Sequence, residues 1–325
     1  MERKVRVGLA VGKFDPPHLG HSLVIDVALG NVERLLVFVR TYAGEHTPAS
    51  LRLAWLREIH PDVEFIGVDD DPSIHPDDRE AQAKRARMYL DGVQPDMVFS
   101  SEPDDEWFAN SLGARHYSVD RDLQLVPVTG SMVRRAPLEH LKWLPPCVRA
   151  DFVKRVGVVG SESTGKTTLC MNLAARYQTA WVPEYGREYT YGKLQHGRLG
   201  HWITEEYYHI AREQQRREDE AARNANKVLI CDTDTLSTAI WHDLYREGMP
   251  PQWPVPPSKI DLYLLPYPDV TYVADEIRDA EHKRYWMFER FQAEIAKLGT
   301  PLIILEGSFA EREAQAARAI DDLVK

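Results

Sequence analysis

At 325 residues the chain is too long for one ordinary domain, and roughly 100 to 200 residues per domain indicates two. With 43% hydrophobic and 28% charged residues it can bury two cores and has no bias towards disorder. A formal net charge of −10 opposes general adhesion to nucleic acid or an anionic membrane, and confines any phosphate-binding cations to local clefts.

In chain order, residues 5–11 form an apolar run that reads as a buried strand, followed at once by Gly12-Lys13-Phe14-Asp15-Pro16-Pro17-His18-Leu19-Gly20-His21. A helix is predicted over 18–29, a strand over 35–39, a helix over 48–59 and a strand over 63–68. An acidic, proline-bearing loop (69–78), a helix (78–90) and a strand (97–100) follow. This alternation predicts a parallel sheet covered by helices. Ligands of such sheets bind beyond the carboxyl ends of the strands, where residues 12–21 and 100–103 would lie.

Pro137, Pro145 and Pro146 punctuate residues 136–155, which read as the connection between a domain of 1–150 and one of 151–325. The second domain restarts with a strand (156–159), the loop Gly160-Ser161-Glu162-Ser163-Thr164-Gly165-Lys166-Thr167 and a helix to Tyr177. A charged helix (204–226), a strand (228–231), a proline-rich loop (250–257), strands at 260–265 and 302–305 and a helix at 310–324 complete it. No internal repeat or low-complexity tract is present. The three cysteines, Cys147, Cys170 and Cys231, are far apart and form no Cys-x-x-Cys pair, so they read as buried small hydrophobes. The N-terminus has no signal-peptide hydrophobic segment, and no apolar stretch approaches the ~20 residues of a membrane span, so a cytoplasmic protein is expected.

The loop 160–167 fits G-x-x-x-x-G-K-[ST] between a strand and a helix. Its glycines let successive N–H groups face phosphates, and the helix N-terminus adds partial positive charge. Lys166 would reach the β- and γ-phosphates and Thr167 would help hold Mg²⁺. Asp232 follows the apolar run 228–231, where a carboxylate holding Mg²⁺ belongs, and Asp234 is a weaker candidate. In Pro183-Glu184-Tyr185-Gly186-Arg187-Glu188, Glu184 could accept a hydroxyl proton and Arg187 could meet phosphate or carboxylate. Tyr185 or Trp181 could stack on a planar base. Arg278, Lys283 and Arg284 suit either a basic lid or a solvated helix face.

In the first signature, His18 and His21 lie three residues apart at a helix start, on one face, where two imidazoles could donate to a triphosphate. Metal ligation competes less well, because no acidic or cysteine partner stands at a metal-binding spacing. Thr129-Gly130-Ser131-Met132-Val133-Arg134 offers hydroxyls, backbone donors and a cation for the far side of the same anion.

Together with Leu51-Arg52-Leu53-Ala54-Trp55-Leu56, Phe99-Ser100-Ser101-Glu102-Pro103 and Asp232-Thr233-Asp234, these segments resemble the NadR family of bifunctional nicotinamide mononucleotide (NMN) adenylyltransferase and ribosylnicotinamide kinase enzymes, over nearly the whole chain. The resemblance implies an α/β fold: a Rossmann-like HxGH nucleotidylyltransferase domain followed by a P-loop kinase domain, both with parallel sheets. The first domain would join NMN to ATP, forming NAD and pyrophosphate, with Gly12, Lys13, Phe14, His18, His21, Ser131 and Arg134 on ATP. Trp55 would contact its substrate. The second would phosphorylate nicotinamide riboside, with Gly160, Ser163, Thr164, Gly165, Lys166, Thr167, Thr168 and Arg278 on ATP. Glu184, Tyr185, Arg187 and Asp234 would meet the nucleoside, Thr167 and Asp232 would hold Mg²⁺, and Glu184 or Asp232 would be the base.

Two features depart from the family pattern. Thr129 and Ser131 exchange the usual hydroxyl types, and the first strand begins within a few residues of Met1, so direct nucleic-acid binding is not expected. Pro183 stands just before Glu184, which leaves the ring that clamps nicotinamide open. The expected partners are ATP, nicotinamide riboside, NMN and NAD, without a membrane, and a homo-oligomer is compatible with them. The alternatives are a fused phosphopantetheine adenylyltransferase and dephospho-coenzyme A kinase, against which residues 184–188 and 232–234 argue, and a nucleotide sensor without turnover.

Overall fold

The computed structural model describes residues 5–41, 44–71, 73–74, 78–102, 105–195, 202–246, 248, 253–272 and 281–325. The chain divides into two compact units, Met1–Arg149 and Ala150–Lys325. Each is built on its own five-stranded sheet, parallel throughout. Among the described residues no helix is long and apolar enough to cross a membrane.

In the first unit, β1 (Val5–Gly12), α1 (Leu19–Asn31), β2 (Val32–Thr41), α2 (Ala49–Ile59), β3 (Glu64–Asp69), α3 (Arg79–Leu90), β4 (Met97–Ser100), α4 (Glu106–Ser111), β5 (Arg115–Ser118) and α5 (Gly130–Arg135) follow in order. The sheet order is β3-β2-β1-β4-β5. Successive residues of a strand point to opposite faces, so the central strand must be apolar on both. Leu9 accordingly packs with Leu36, Phe38 and Val98 in one layer, and Ala10 packs with Ile25, Val37 and Phe99 in the other. The chain builds outward from β1 to β3, then returns to place β4 on the other side of β1. That reversal opens a crevice at the carboxyl ends of β1 and β4.

One buried cation holds the loops at that edge together. Arg52 of α2 is fully buried. Its guanidinium donates to the carbonyls of Thr47 and Arg40, each at 2.9 Å, and to the Lys13 carbonyl and the Glu45 carboxylate. Asp15, also buried, reciprocates by accepting the N–H groups of His46 and Thr47, both at 3.0 Å. The loop after β1 and the loop before α2 are therefore tied by charge-assisted bonds in both directions.

Residues 136–155, read as a connection, instead carry two single 3₁₀ turns (Pro137–Glu139 and Leu141–Trp143) and α6 (Pro146–Phe152), then enter β6 (Lys154–Val158). The second unit continues with α7 (Lys166–Tyr177), β7 (Trp181–Val182), α8 (Tyr185–Gln195), α9 (Thr204–Ala222), β8 (Val228–Asp232), α10 (Thr235–Arg246), β9 (Leu262–Pro266), α11 (Arg284–Leu298), β10 (Leu302–Leu305) and α12 (Phe309–Leu323). The sheet order is β10-β9-β6-β8-β7. Again the central strand alternates, with Val158 packed against Leu169 and Leu264 on one side and Val159 among Ile240, Met287 and Phe291 on the other. α12 starts where Ser308 accepts from Glu311 N while Glu311 accepts from Ser308 N at 2.8 Å, a capping box.

Arg52→Met keeps the bulk of the side chain but strips three carbonyls and Glu45 of their donor. It is expected to destabilise the first unit by about 3–5 kcal/mol, the usual result of breaking one side of a buried ionic network, as read by denaturant unfolding.

Candidate active sites

The first site forms where β1 ends. Phe14 takes φ +50 and is buried against His21, with ring centroids 4.7 Å apart. His18 is the N-cap of α1 rather than one of its helical residues, and its backbone N–H donates to His21 Nδ1 at 3.2 Å. A ring nitrogen that accepts must be unprotonated, so a neutral His21 carries its hydrogen on Nε2, available for a ligand. The two imidazoles stack with centroids 3.7 Å apart. Burial pushes His18 down to about 4, and burial with the neighbouring His18 lowers His21 well below its usual value. His18 Nδ1 is buried and has no hydrogen-bond partner among the described residues. Both rings are thus neutral near pH 7, each able to offer one N–H.

The turn at residues 129–134 is brought against this loop. Arg134 donates to the Asp15 carbonyl, and a Cβ on Gly130 would stand 3.2 Å from that same oxygen. Thr129 caps α5 by accepting from Met132 N at 3.3 Å, and its hydroxyl lies 2.9 Å from that of Ser131. The structure therefore unites Gly12, Phe14, His18, His21, Ser131 and Arg134 at one sheet edge. Lys13 is exposed and Trp55, on α2, is buried.

The second site surrounds the P-loop. Gly160, Ser163 and Gly165 have φ of +135, +55 and +81, which curls the loop so that its N–H groups converge. Thr164 Oγ1 and Lys166 Nζ donate to the Ser161 carbonyl at 3.0 and 2.8 Å. Thr167 Oγ1 donates to Asp232 Oδ2 at 2.6 Å, and the other oxygen, Oδ1, is buried with no hydrogen-bond partner among the described residues. Burial raises both Glu184 and Asp232, and Lys166 pulls both down.

A cavity of about 430 Å³ opens beside the loop, within the size range of small-molecule sites. It is lined by Ser163, Thr164, Gly165, Lys166, Thr167, Thr168, Glu184 and Arg187, the residues the sequence singled out. It is also lined by four aromatics that sequence reasoning missed: Trp202, Tyr207, Trp241 and Tyr245. Trp241 and Tyr245 stack at 5.6 Å with planes 12° apart, and Lys193 Nζ sits 4.0 Å over the Trp202 ring. The four-residue spacing on α10 was the available signal for the first pair.

Several expected residues lie elsewhere. Tyr185 does not line the cavity; it turns to α9, with its hydroxyl 3.2 Å from His209 Nε2 and Arg217 4.3 Å over its ring. Trp181 packs on the sheet core, because β7 points it there. Asp234 is fully buried and bonded to Tyr263 and Ser237, not open to a ligand. Arg284 begins α11, buried, and donates to the Val270 carbonyl at 2.9 Å. Arg278 lies outside the described residues.

The fold and these two sites define a nucleotide-handling protein in which a nucleotidyltransferase unit precedes a P-loop unit. Residues 9–136 match the family described as cytidylyltransferase-like, and residues 155–312 match the AAA domain family. The "Trifunctional NAD biosynthesis/regulator protein NadR" of Salmonella typhimurium is 28% identical over 297 residues, covering 85% of this chain and 72% of that protein. A crystal structure of NadR protein in complex with NR superposes with TM-score 0.74 at 21% identity, over 98% of this chain and 96% of that one. A NadR complex with NAD and AMP-PNP gives 0.73 at 20% identity, with the same coverage. The chain is therefore a homologue of NadR proteins over most of its length.

Gly20 permits the His18 placement, since a Cβ there would lie 3.0 Å from His18 Cε1 and Nδ1. Gly20→Ala, ordinarily favourable inside a helix, should displace the ring and lower turnover at the first site by about 10- to 100-fold with the fold intact. The lowered His18 pKa also has a sign: between about 6.5 and about 4 the unfolded chain binds a proton that the folded one does not, so stability falls as pH falls through that window. The acid-induced drop in Tm should shrink in His18→Asn.

Proposed function

We propose that the chain phosphorylates nicotinamide riboside at its P-loop site and adenylylates the resulting NMN at its histidine site, yielding NAD. The observation that carries this reading is the P-loop cavity, which sets Lys166, Glu184 and the Asp232-bonded Thr167 beside a wall of aromatic rings. A phosphoryl donor, a raised carboxyl and a place for a flat ring are the three things that a nucleoside kinase of this substrate requires.

The acceptor carries a cationic pyridinium ring, which aromatic faces attract. Lys193 already occupies one face of Trp202, so Tyr207 and the Trp241–Tyr245 pair are the better platform. Glu184, held up in pKa by burial, takes the 5′-hydroxyl proton as the oxygen attacks the γ-phosphorus and ADP departs. Lys166 swings from the Ser161 carbonyl to the phosphates, and Arg187 offsets charge on the transferring group.

The free lone pair on Asp232 Oδ1 and the adjoining Thr167 hydroxyl fit Mg²⁺, which takes few protein ligands and keeps its waters. When bound it would neutralise charge on the phosphates of ATP. Asp232 is then occupied by the metal, which leaves Glu184 as the base.

In the first unit, the NMN phosphate attacks the α-phosphorus of ATP in line and pyrophosphate leaves. No proton need be removed from the nucleophile, so catalysis is positioning and charge stabilisation. Neutral His18 and His21 donate from one side, Ser131 and the α5 turn from the other.

Incubation with Mg²⁺, ATP and nicotinamide riboside should give NMN and then NAD by chromatography. Lys166→Ala should abolish NMN formation yet still convert supplied NMN, and His18→Ala should stop at NMN. Loss of both steps in either folded variant contradicts the two-site reading, and absence of both in the wild type would favour a sensor.

A further inference from the structure

Thr233 stands between Asp232 and Asp234 in a left-handed conformation, φ +67, and lines the kinase cavity. A β-branched residue adopts such a backbone only where its surroundings over-determine it, and such sites cluster where strain serves function. On one side the Thr233 N–H donates to the Val158 carbonyl at 3.0 Å. On the other side lies Asp234, fully buried, whose Oδ1 accepts from Ser237 N at 2.9 Å and Ser237 Oγ at 3.0 Å. Its Oδ2 accepts from the Tyr263 hydroxyl at 2.6 Å.

The origin of that last bond is informative. Tyr263 belongs to β9, which is separated from β8 by β6, so its ring must cross the central strand to reach a residue beyond the end of β8. Gly157 pairs with Tyr263 on one side and Cys231 on the other, so all three lie in one row across the sheet. A Cβ on Gly157 would stand 3.0 Å from two atoms of the Tyr263 ring. The central strand is bare at the one position where the tyrosine passes over it.

We infer that Tyr263 and Asp234 form a positioning pair: Tyr263, laid across Gly157, clamps Asp234, and the clamp holds the left-handed Thr233 that aims Asp232 at Thr167. This rests on the kinase reading of the site and assigns Asp234 a positioning role in place of substrate contact. Neither residue lines the cavity.

The test is steady-state kinase kinetics of Tyr263→Phe, which deletes one hydroxyl, alone and combined with Thr233→Gly, which adopts positive φ without strain. The expected result is a kcat about tenfold lower for Tyr263→Phe, with KM for ATP and nicotinamide riboside within about twofold and adenylyl transfer unchanged. Asp234→Asn should follow it. In the Thr233→Gly background, itself a new baseline, Tyr263→Phe should change kcat less than about twofold, because no strain is left to hold. An undiminished kcat in Tyr263→Phe, or the same fall in both backgrounds, overturns the inference. A wild-type chain that does not phosphorylate nicotinamide riboside defeats the kinase reading instead, so the two failures are distinguishable.

Discussion

β6 and β8 are hydrogen-bonded in parallel with Val158 opposite Asp232. The strand that runs into the P-loop and the strand that ends in a carboxylate therefore finish side by side, and Thr167 meets Asp232 at 2.6 Å. A slip of one residue would turn Asp232 to the opposite face of the sheet. The same register puts Gly157 opposite both Cys231 and Tyr263, in the row that the Tyr263–Asp234 bond crosses.

The first unit solves a related problem with different residues. It too reverses strand order beside its central strand, but the groups proposed to meet the anion are a stacked pair of imidazoles instead of a lysine on a glycine-rich loop. Neutral donors suit a step in which a phosphate nucleophile approaches a triphosphate, because the site must stabilise developing charge without trapping the nucleophile. The P-loop site has the opposite need, deprotonation of a neutral hydroxyl, for which the proposed base is a carboxyl raised by burial. In the proposed division of chemistry, imidazoles lowered by burial serve the first unit and a carboxyl raised by burial serves the second.

Much of this was legible from residue order because the phosphate-binding parts are local. A strand, a turn rich in glycine or proline and a helix start place His18, His21, Lys166 and Thr167 within a few residues of one another, and Asp232 is marked by the apolar run before it. What stayed hidden depends on side-chain direction over long separations. Trp202 at the start of α9 and Trp241 on α10 meet in one cavity although 39 positions separate them. Tyr185 sits beside Glu184 in sequence, yet the helix turns its ring towards α9. Asp234 shared the look of a ligand with Asp232 until burial and the three hydrogen bonds it accepts showed otherwise. Arg52, quoted as part of a motif, proved to tie the loop after β1 to the loop before α2.

In the proposed function one chain performs two phosphorus transfers in sequence, the product of the P-loop site serving the histidine site. The most direct measurement supplies unlabelled nicotinamide riboside with ATP labelled at the γ-phosphorus and locates the label in the NAD formed. Label is expected on the nicotinamide-side phosphate of NAD, carried there through NMN, and not on the adenylyl phosphate. NAD without label at that position, or label that stays in ATP and its hydrolysis products, would contradict it.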